Sequence, residues 1–209
     1  MRGYFITFEG SEGCGKTTQI NALAKRFEDE GRTVQVTREP GGTIIGEKIR
    51  DLLQDPINKN SINPLTELLL FSASRSELIT SVIQPALSRG EIVISDRFTD
   101  STLVYQGLAR SIGIPIVQKL NKITIGTLKP DLTILLDLDT EIGIKRAMER
   151  QSGKLDRIET ESLDFFKAIR KGYLELAKNN PDRIKVINGI LGIREIEHQI
   201  WEIIKGKSK

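Results

Sequence analysis

The 209-residue chain has one cysteine, Cys14, and one histidine, His198. A single cysteine excludes an internal disulfide and suits a reducing cytosol. Aromatic residues make up 5% of the chain, and no apolar run approaches the ~20 residues that a membrane-spanning helix needs. The opening MRGYFITFEG runs directly into a strand pattern, which leaves no room for a signal peptide. Excess charge of one sign is also missing. Lys+Arg total 31 against 28 Asp+Glu, too even a balance for a nucleic-acid binder. There are no repeats, low-complexity tracts or linkers. These absences lead us to expect one cytosolic globular domain spanning residues 1–209.

What is present is an alternation of short apolar strands and amphipathic helices. Strands are expected at Tyr4–Phe8, Thr33–Thr37, Glu91–Ser95, Leu132–Leu138 and Arg183–Ile187. The first helix spans Lys16–Glu30, with Gly31 as its C-cap. Other helical patterns fall at roughly 44–54, 64–88, 116–128, 140–150, 160–179 and 193–205. Near-continuous apolar strands separated by helices argue for an α/β three-layer fold around a five-stranded parallel sheet. In such a sheet the carboxyl ends of all strands share one edge, and ligands bind there. Gly10–Thr17, Arg38–Gly42, Asp96–Arg97, Asp139 and Asn188–Gly189 are thereby expected around one crevice.

Gly10-Ser11-Glu12-Gly13-Cys14-Gly15-Lys16-Thr17 fits the phosphate-loop pattern G-x-x-x-x-G-K-[ST], between a strand and a helix as that motif requires. Its glycines turn successive N–H groups inward, and the helix that follows directs its positive end to the same place. Lys16 is expected on the β/γ-phosphates and the Thr17 hydroxyl on Mg2+, with Thr18 completing the ATP site. Cys14 reads as a small filler. No D-x-x-G occurs, and Asn121-Lys122-Ile123-Thr124 lacks the carboxylate of a guanine reader, so a switch GTPase is excluded. An L-S-G-G-Q stretch of transport ATPases is also absent. Small nucleotide kinases remain. They need further cations for the acceptor's phosphate, because phosphoryl transfer is chiefly positioning and charge neutralisation.

Arg38 and Arg97, both at strand ends beside the loop, are the candidate clamp on that phosphate. Asp96 is the best carboxylate for Mg2+, with Asp137 and Asp139 weaker. In the 64–88 pattern, Leu68, Phe71, Arg75, Leu78 and Val82 fall on one stripe. Arg75 is the anomaly in it, since a buried guanidinium must find partners. Phe71 with Arg75 one turn later suits stacking on a planar base and bonding its edge. After the strand LTILLDL, Arg146, Arg150 and Lys154 recur every four residues, and Arg157 follows. This segment, about 146–158, reads as a mobile lid whose arginines close over the γ-phosphate. His198 lies in an amphipathic pattern and reads as structural; no residue stands out as a nucleophile or general base.

FEGSEGCGKTTQ, TREPGGT, LLLFSASR, SDRF with STLVYQG, KPDLTILLDLD and LDRIETESLDFFKAIRKGYLELA together resemble the thymidylate kinase family over nearly the whole chain. The resemblance implies an ATP- and Mg2+-dependent dTMP kinase, normally a homodimer joined by helices away from the site; the alternatives are a related nucleoside monophosphate kinase of broader base preference and a nucleotide-binding regulatory protein without turnover. It also implies roles for individual residues. Glu12 contacts the acceptor sugar near its 3′-hydroxyl, and Arg38 and Arg97 hold the dTMP phosphate. Phe71 stacks on thymine, Arg75 bonds its edge, and Ser101 and Gln106 lie near the other polar edge. Tyr105 fills the space a ribose 2′-hydroxyl needs. Arg146 neighbours adenine, and Arg150 and Arg157 are lid cations. Two departures stand out: Phe98 replaces the usual Tyr or His after the Asp-Arg pair, and Gly13 and Cys14 lack the arginine some members carry in the phosphate loop.

Overall fold

A computed structural model describes residues 3–59, 61–150 and 155–207, without the side chains of Arg150 and Lys207. Five strands, β1 (Tyr4–Glu9), β2 (Val34–Arg38), β3 (Ile92–Asp96), β4 (Leu132–Asp137) and β5 (Ile184–Asn188), form one parallel sheet in the order β2-β3-β1-β4-β5. The order reverses direction beside β1, and this switch point leaves the crevice at the strands' carboxyl ends. The register pairs Phe5 with Val93 and Ile6 with Ile94. Side chains alternate along a strand, so these two pairs face opposite layers.

On one face, Ile6, Phe8, Ile94 and Ile134 pack against α1 (Lys16–Asp29) and α9 (Ile193–Lys207), through Leu23, Phe27, Ile200 and Trp201. On the other, Phe5 and Val93 pack with Leu78, Ile83 and Phe98, and Leu135 packs with Phe166 and Tyr173. That layer holds α2 (Ile44–Gln54), α3 (Pro64–Leu78), α6 (Ile114–Ile125) and α8 (Leu163–Asn179); α7 (Thr140–Arg150) follows β4. The expected three-layer architecture is what forms. No helix among the described residues is long and apolar enough to cross a membrane.

Two segments differ from expectation. The pattern at 64–88 is helical throughout, but Ile79–Ile83 is a π-helical turn between α3 and α4 (Gln84–Ser88). Pro85 explains the widening: it has no N–H to give, and in α-geometry its ring clashes with the carbonyl four residues back. The stretch after β3 is also helical, as α5 (Thr99–Thr102) followed by a π-helix at Leu103–Ala109. Its Thr, Val and Gly content gives it little intrinsic helix propensity. Tertiary packing supplies what propensity does not. Val104 and Tyr105 are buried against α8, where a Cβ on Gly172 would lie 2.7 Å from Leu108 Cδ1.

Candidate active site

The loops after four of the strands meet around one cavity of about 870 Å3. Glu12–Gln19, Arg38–Pro40, Asp96–Arg97 and Gly189 line it, with Arg146 from α7. Asp139 does not. Arg170 of α8 donates to Asp137 at 2.7 Å and to Asp139 at 3.2 Å, which holds both carboxylates in a separate ion pair.

The phosphate loop is built to receive an anion. Asn63, Thr43 and Ser162 cap α3, α2 and α8 with their own side chains, whereas α1 starts from Gly15 in the left-handed region (φ 94°) with no side-chain cap. Its first N–H groups are therefore left for a ligand. The Lys16 ammonium donates to the carbonyls of Gly10 and Ser11 at 3.2 and 3.0 Å and to Cys14 Sγ at 3.6 Å. Phosphate oxygens would replace these loop acceptors. Thr17 and Thr18 lie exposed in the cavity lining, and Cys14 is buried in the core as a filler. Gly13 has φ 69°, and a Cβ there would lie 2.1 Å from the Gly143 carbonyl oxygen. No arginine can stand at that position unless α7 withdraws.

Arg97 occupies the centre. Its guanidinium donates to Glu12 at 2.6 Å, to the Gly10 carbonyl at 3.0 Å, and to Tyr173 and Ser101 at 3.2 and 3.3 Å. Arg38 is half exposed and pairs with Glu47 at 2.8 Å. Arg50 of α2, which the sequence did not single out, lies in the same lining and donates to the Pro40 carbonyl. Burial and the charge of Arg38 lower its pKa, and an arriving anion would offset the repulsion between the two cations. Asp96 lines the cavity beside these cations.

At the other end, Arg75 is almost fully buried, its side chain 1% exposed beside Glu39 at 3%. Nε donates to both Glu39 oxygens, Nη2 to Glu39 and Thr102 at 2.6 Å each, and Nη1 to Asn121 at 3.1 Å. A guanidinium has five N–H donors. One, on Nη1, remains without a partner among the described residues while Arg75 lines the cavity. Gln106 donates its amide to Glu67 at 2.8 Å, which fixes the amide and leaves its carbonyl oxygen as an acceptor. Phe71 lies in the same lining, half-buried and outside the apolar clusters. Tyr105 donates its hydroxyl to Glu12 at 3.1 Å, with Arg97 over its ring at 5.0 Å. Ser101 lines the cavity too, but its hydroxyl is given to Glu9 at 2.6 Å. Phe98 is core: its ring meets Phe5 edge-on at 5.1 Å and lies beneath Arg75. The missing Tyr or His hydroxyl or imidazole at this position therefore removes no contact from the cavity.

The basic segment divides. Arg146 lines the cavity and donates to the Gly189 carbonyl at 3.3 Å. The Arg150 side chain and Lys154 lie outside the described residues. Arg157 is not brought to the phosphate loop. Its side chain is 2% exposed, with Nη2 2.6 Å from Glu67 and Nε 2.6 Å from the Leu53 carbonyl. It clamps the segment after α7 onto α2 and α3, so the expected lid has a fixed C-terminal base. Its neighbours Asp156 and Glu159 line the cavity instead.

Several partners of the site's arginines had no role assigned from the sequence. Glu39, Thr102 and Asn121 organise Arg75; Glu9 and Tyr173 organise Arg97; Glu67 joins Arg157, Arg110 and Gln106. Glu9 and Glu39 carried a usable signal, since each ends or follows an apolar strand where a charge is costly to bury. Tyr173 and Glu67 sat in helical patterns with nothing to mark them.

The sequence profile described as thymidylate kinase matches residues 8–200. A thymidylate kinase of Lactobacillus delbrueckii subsp. bulgaricus is 46% identical over 206 residues, covering 98% of this chain and 97% of that protein. One of Pelobacter propionicus is 48% identical over 202 residues, covering 95% and 92%. The crystal structure of thymidylate kinase from Ehrlichia chaffeensis superposes with a TM-score of 0.79 at 33% identity, covering 98% of this chain and 99% of that one.

Proposed function

Because the chain belongs to the thymidylate kinase family, we propose that its cavity is where ATP hands its γ-phosphoryl group to dTMP, giving dTDP. The observation that carries the acceptor's identity is the pair of polar groups left over at the buried end. Arg75 offers one N–H and Gln106 one carbonyl oxygen, with Phe71 beside them. A thymine edge presents a carbonyl acceptor next to an N–H donor, the complement of that pair. Uracil and guanine carry the same carbonyl and N–H pair, so the choice among them is read from the acceptor panel below.

Arg97 and Arg38, with Arg50 behind them, take the acceptor phosphate, and Lys16 with the open end of α1 takes the donor's. Glu12 and Tyr105 flank the sugar. Asp96 and Thr17 hold Mg2+. Among the described residues no group of three or more His, Cys, Asp and Glu could cage a metal alone. One carboxylate and one hydroxyl suit an ion that takes its other ligands from phosphates and water. When bound, Mg2+ neutralises charge between the two nucleotides. No base is required: the attacking oxygen is already an anionic phosphate oxygen. We assign the protein to the cytoplasm and to a homodimer. The apolar side chains that α2, α3 and α6 leave uncovered, among them Leu52, Leu65, Leu69, Ile116 and Ile123, support the latter.

The deciding experiment follows ADP release from ATP and Mg2+ with dTMP, dUMP, UMP, dGMP and AMP as acceptors. Release dominated by dTMP is expected. Release spread over several acceptors overturns the base assignment, and none with any acceptor leaves a nucleotide-binding protein without turnover.

A further inference from the structure

Arg97 is the only residue of its loop in the left-handed region, at φ 71°, a conformation that costs a non-glycine residue about 1 kcal/mol or more. Something must hold it there. The next N–H, that of Phe98, is donated at 2.9 Å to Glu9 Oε1. Glu9 is the last residue of β1 and is fully buried. Its other oxygen, Oε2, accepts the Ser101 hydroxyl at 2.6 Å and the Tyr173 hydroxyl at 2.8 Å. Those same two hydroxyl oxygens accept from Arg97 Nη1.

The proton count gives this arrangement a direction. Arg97 can only donate, so what Ser101 and Tyr173 present to it is lone pairs. Their protons are left for the ionised Glu9 carboxylate and for the 2.8 Å contact between the two hydroxyls. One carboxylate thus acts on Arg97 twice, through the backbone turn and through the hydroxyl pair. We propose that Glu9 is a positioning residue for the acceptor phosphate: it aims the Arg97 guanidinium across the phosphate loop without touching either nucleotide. This rests on Arg97 being a phosphate ligand.

Glu9→Gln is close to isosteric but reverses the polarity. An amide that keeps the Phe98 N–H on its oxygen must point its NH2 at the hydroxyls. One hydroxyl proton can then pass between Ser101 and Tyr173, but the other loses its carboxylate acceptor and turns toward Arg97, which loosens the cation's seat. A residue that merely supports the fold would not distinguish ligands with and without a phosphate.

The test is isothermal titration of dTMP and of thymidine into the natural protein, Glu9→Gln, Arg97→Ala and Tyr173→Phe, with affinity for each ligand taken as a ratio. Arg97→Ala is expected to collapse the dTMP-to-thymidine ratio. Glu9→Gln is expected to lower it by about tenfold, the worth of a charge-assisted contact, with thymidine affinity nearly unchanged. A ratio unchanged in Glu9→Gln but collapsed in Arg97→Ala overturns the role of Glu9 and leaves Arg97 in place. Equal loss of both ligands in Glu9→Gln also overturns it, in favour of plain structural support. A ratio unchanged in Arg97→Ala removes the arginine's phosphate contact and the proposal with it. If Glu9→Gln does not fold, Tyr173→Phe decides, because it deletes one hydroxyl and keeps the ring: a lowered ratio supports the proposal and an unchanged one overturns it.

Discussion

Replacing Arg75 by Met separates what this residue does for the fold from what it does for the substrate. Arg75 and Glu39 are both nearly sealed from solvent and share three hydrogen bonds, the shortest 2.6 Å. Removing the cation leaves a buried carboxylate unpaired, along with unanswered acceptors on Thr102 and Asn121. Breaking such a pair from one side costs about 3–5 kcal/mol. In a chain of this length each kcal/mol lowers Tm by about 2–4 °C, so a fall of roughly 6–20 °C is expected in calorimetry. The double variant Arg75→Met with Glu39→Leu should recover most of that loss, since no isolated charge remains. It should not recover dTMP binding, because the spare Nη1 donor is gone.

Acidity adds a second signature to the same variant. Burial already raises the Glu39 pKa, with Arg75 opposing it. Without Arg75 it rises further, so the native state holds its proton to higher pH than the unfolded chain. The single variant should then be most stable in acid and lose stability as pH increases through the folded pKa. A single-variant cost below about 1 kcal/mol, or a double variant no more stable than the single, would refute the reasoning.

Arg157→Ala should lower Tm by about 4–12 °C, from a loss of roughly 2–3 kcal/mol, because Glu67 retains Arg110 and Gln106 as partners. If kcat fell more than about 100-fold with Tm unchanged, Arg157 would be a phosphate ligand after all. Tyr105→Ala should narrow the kcat/KM preference for dTMP over its ribose counterpart, and an unchanged ratio would remove Tyr105 from sugar selection. The Glu9 carboxyl is pushed up to about 7 by burial and by Asp100, against Arg97 and the hydroxyls of Ser101 and Tyr173, with Arg183 on the far side of Asp100. Its folded pKa lies above the unfolded value near 4.5, so stability should fall by up to about 3 kcal/mol as pH rises from ~5 to ~8. Glu9→Gln should flatten that slope in chemical denaturation, and an equal slope in both proteins would place the titration elsewhere.

The phosphate loop, the parallel sheet and the ring of strand-end residues were legible in the chain because each depends on local pattern. Glycine spacing sets a loop's backbone, near-continuous apolar runs set buried strands, and parallel strands share one functional edge. The helix at 99–109 was not legible, because its weak local propensity is overridden by packing on α8. The same limit applied within the site. The arginines at 38, 75, 97, 146 and 157 look alike as residues, and their roles come from partners distant in sequence. Arg75 meets Glu39 and Asn121, Arg97 meets Glu12 and Tyr173, and Arg157 meets Glu67. Sequence alone marked the phosphate loop and the edge of the sheet that carries it. Only the tertiary structure decided which guanidinium is left free for a ligand and which is consumed as a brace, since a buried charge takes its function from whatever desolvates and pairs it.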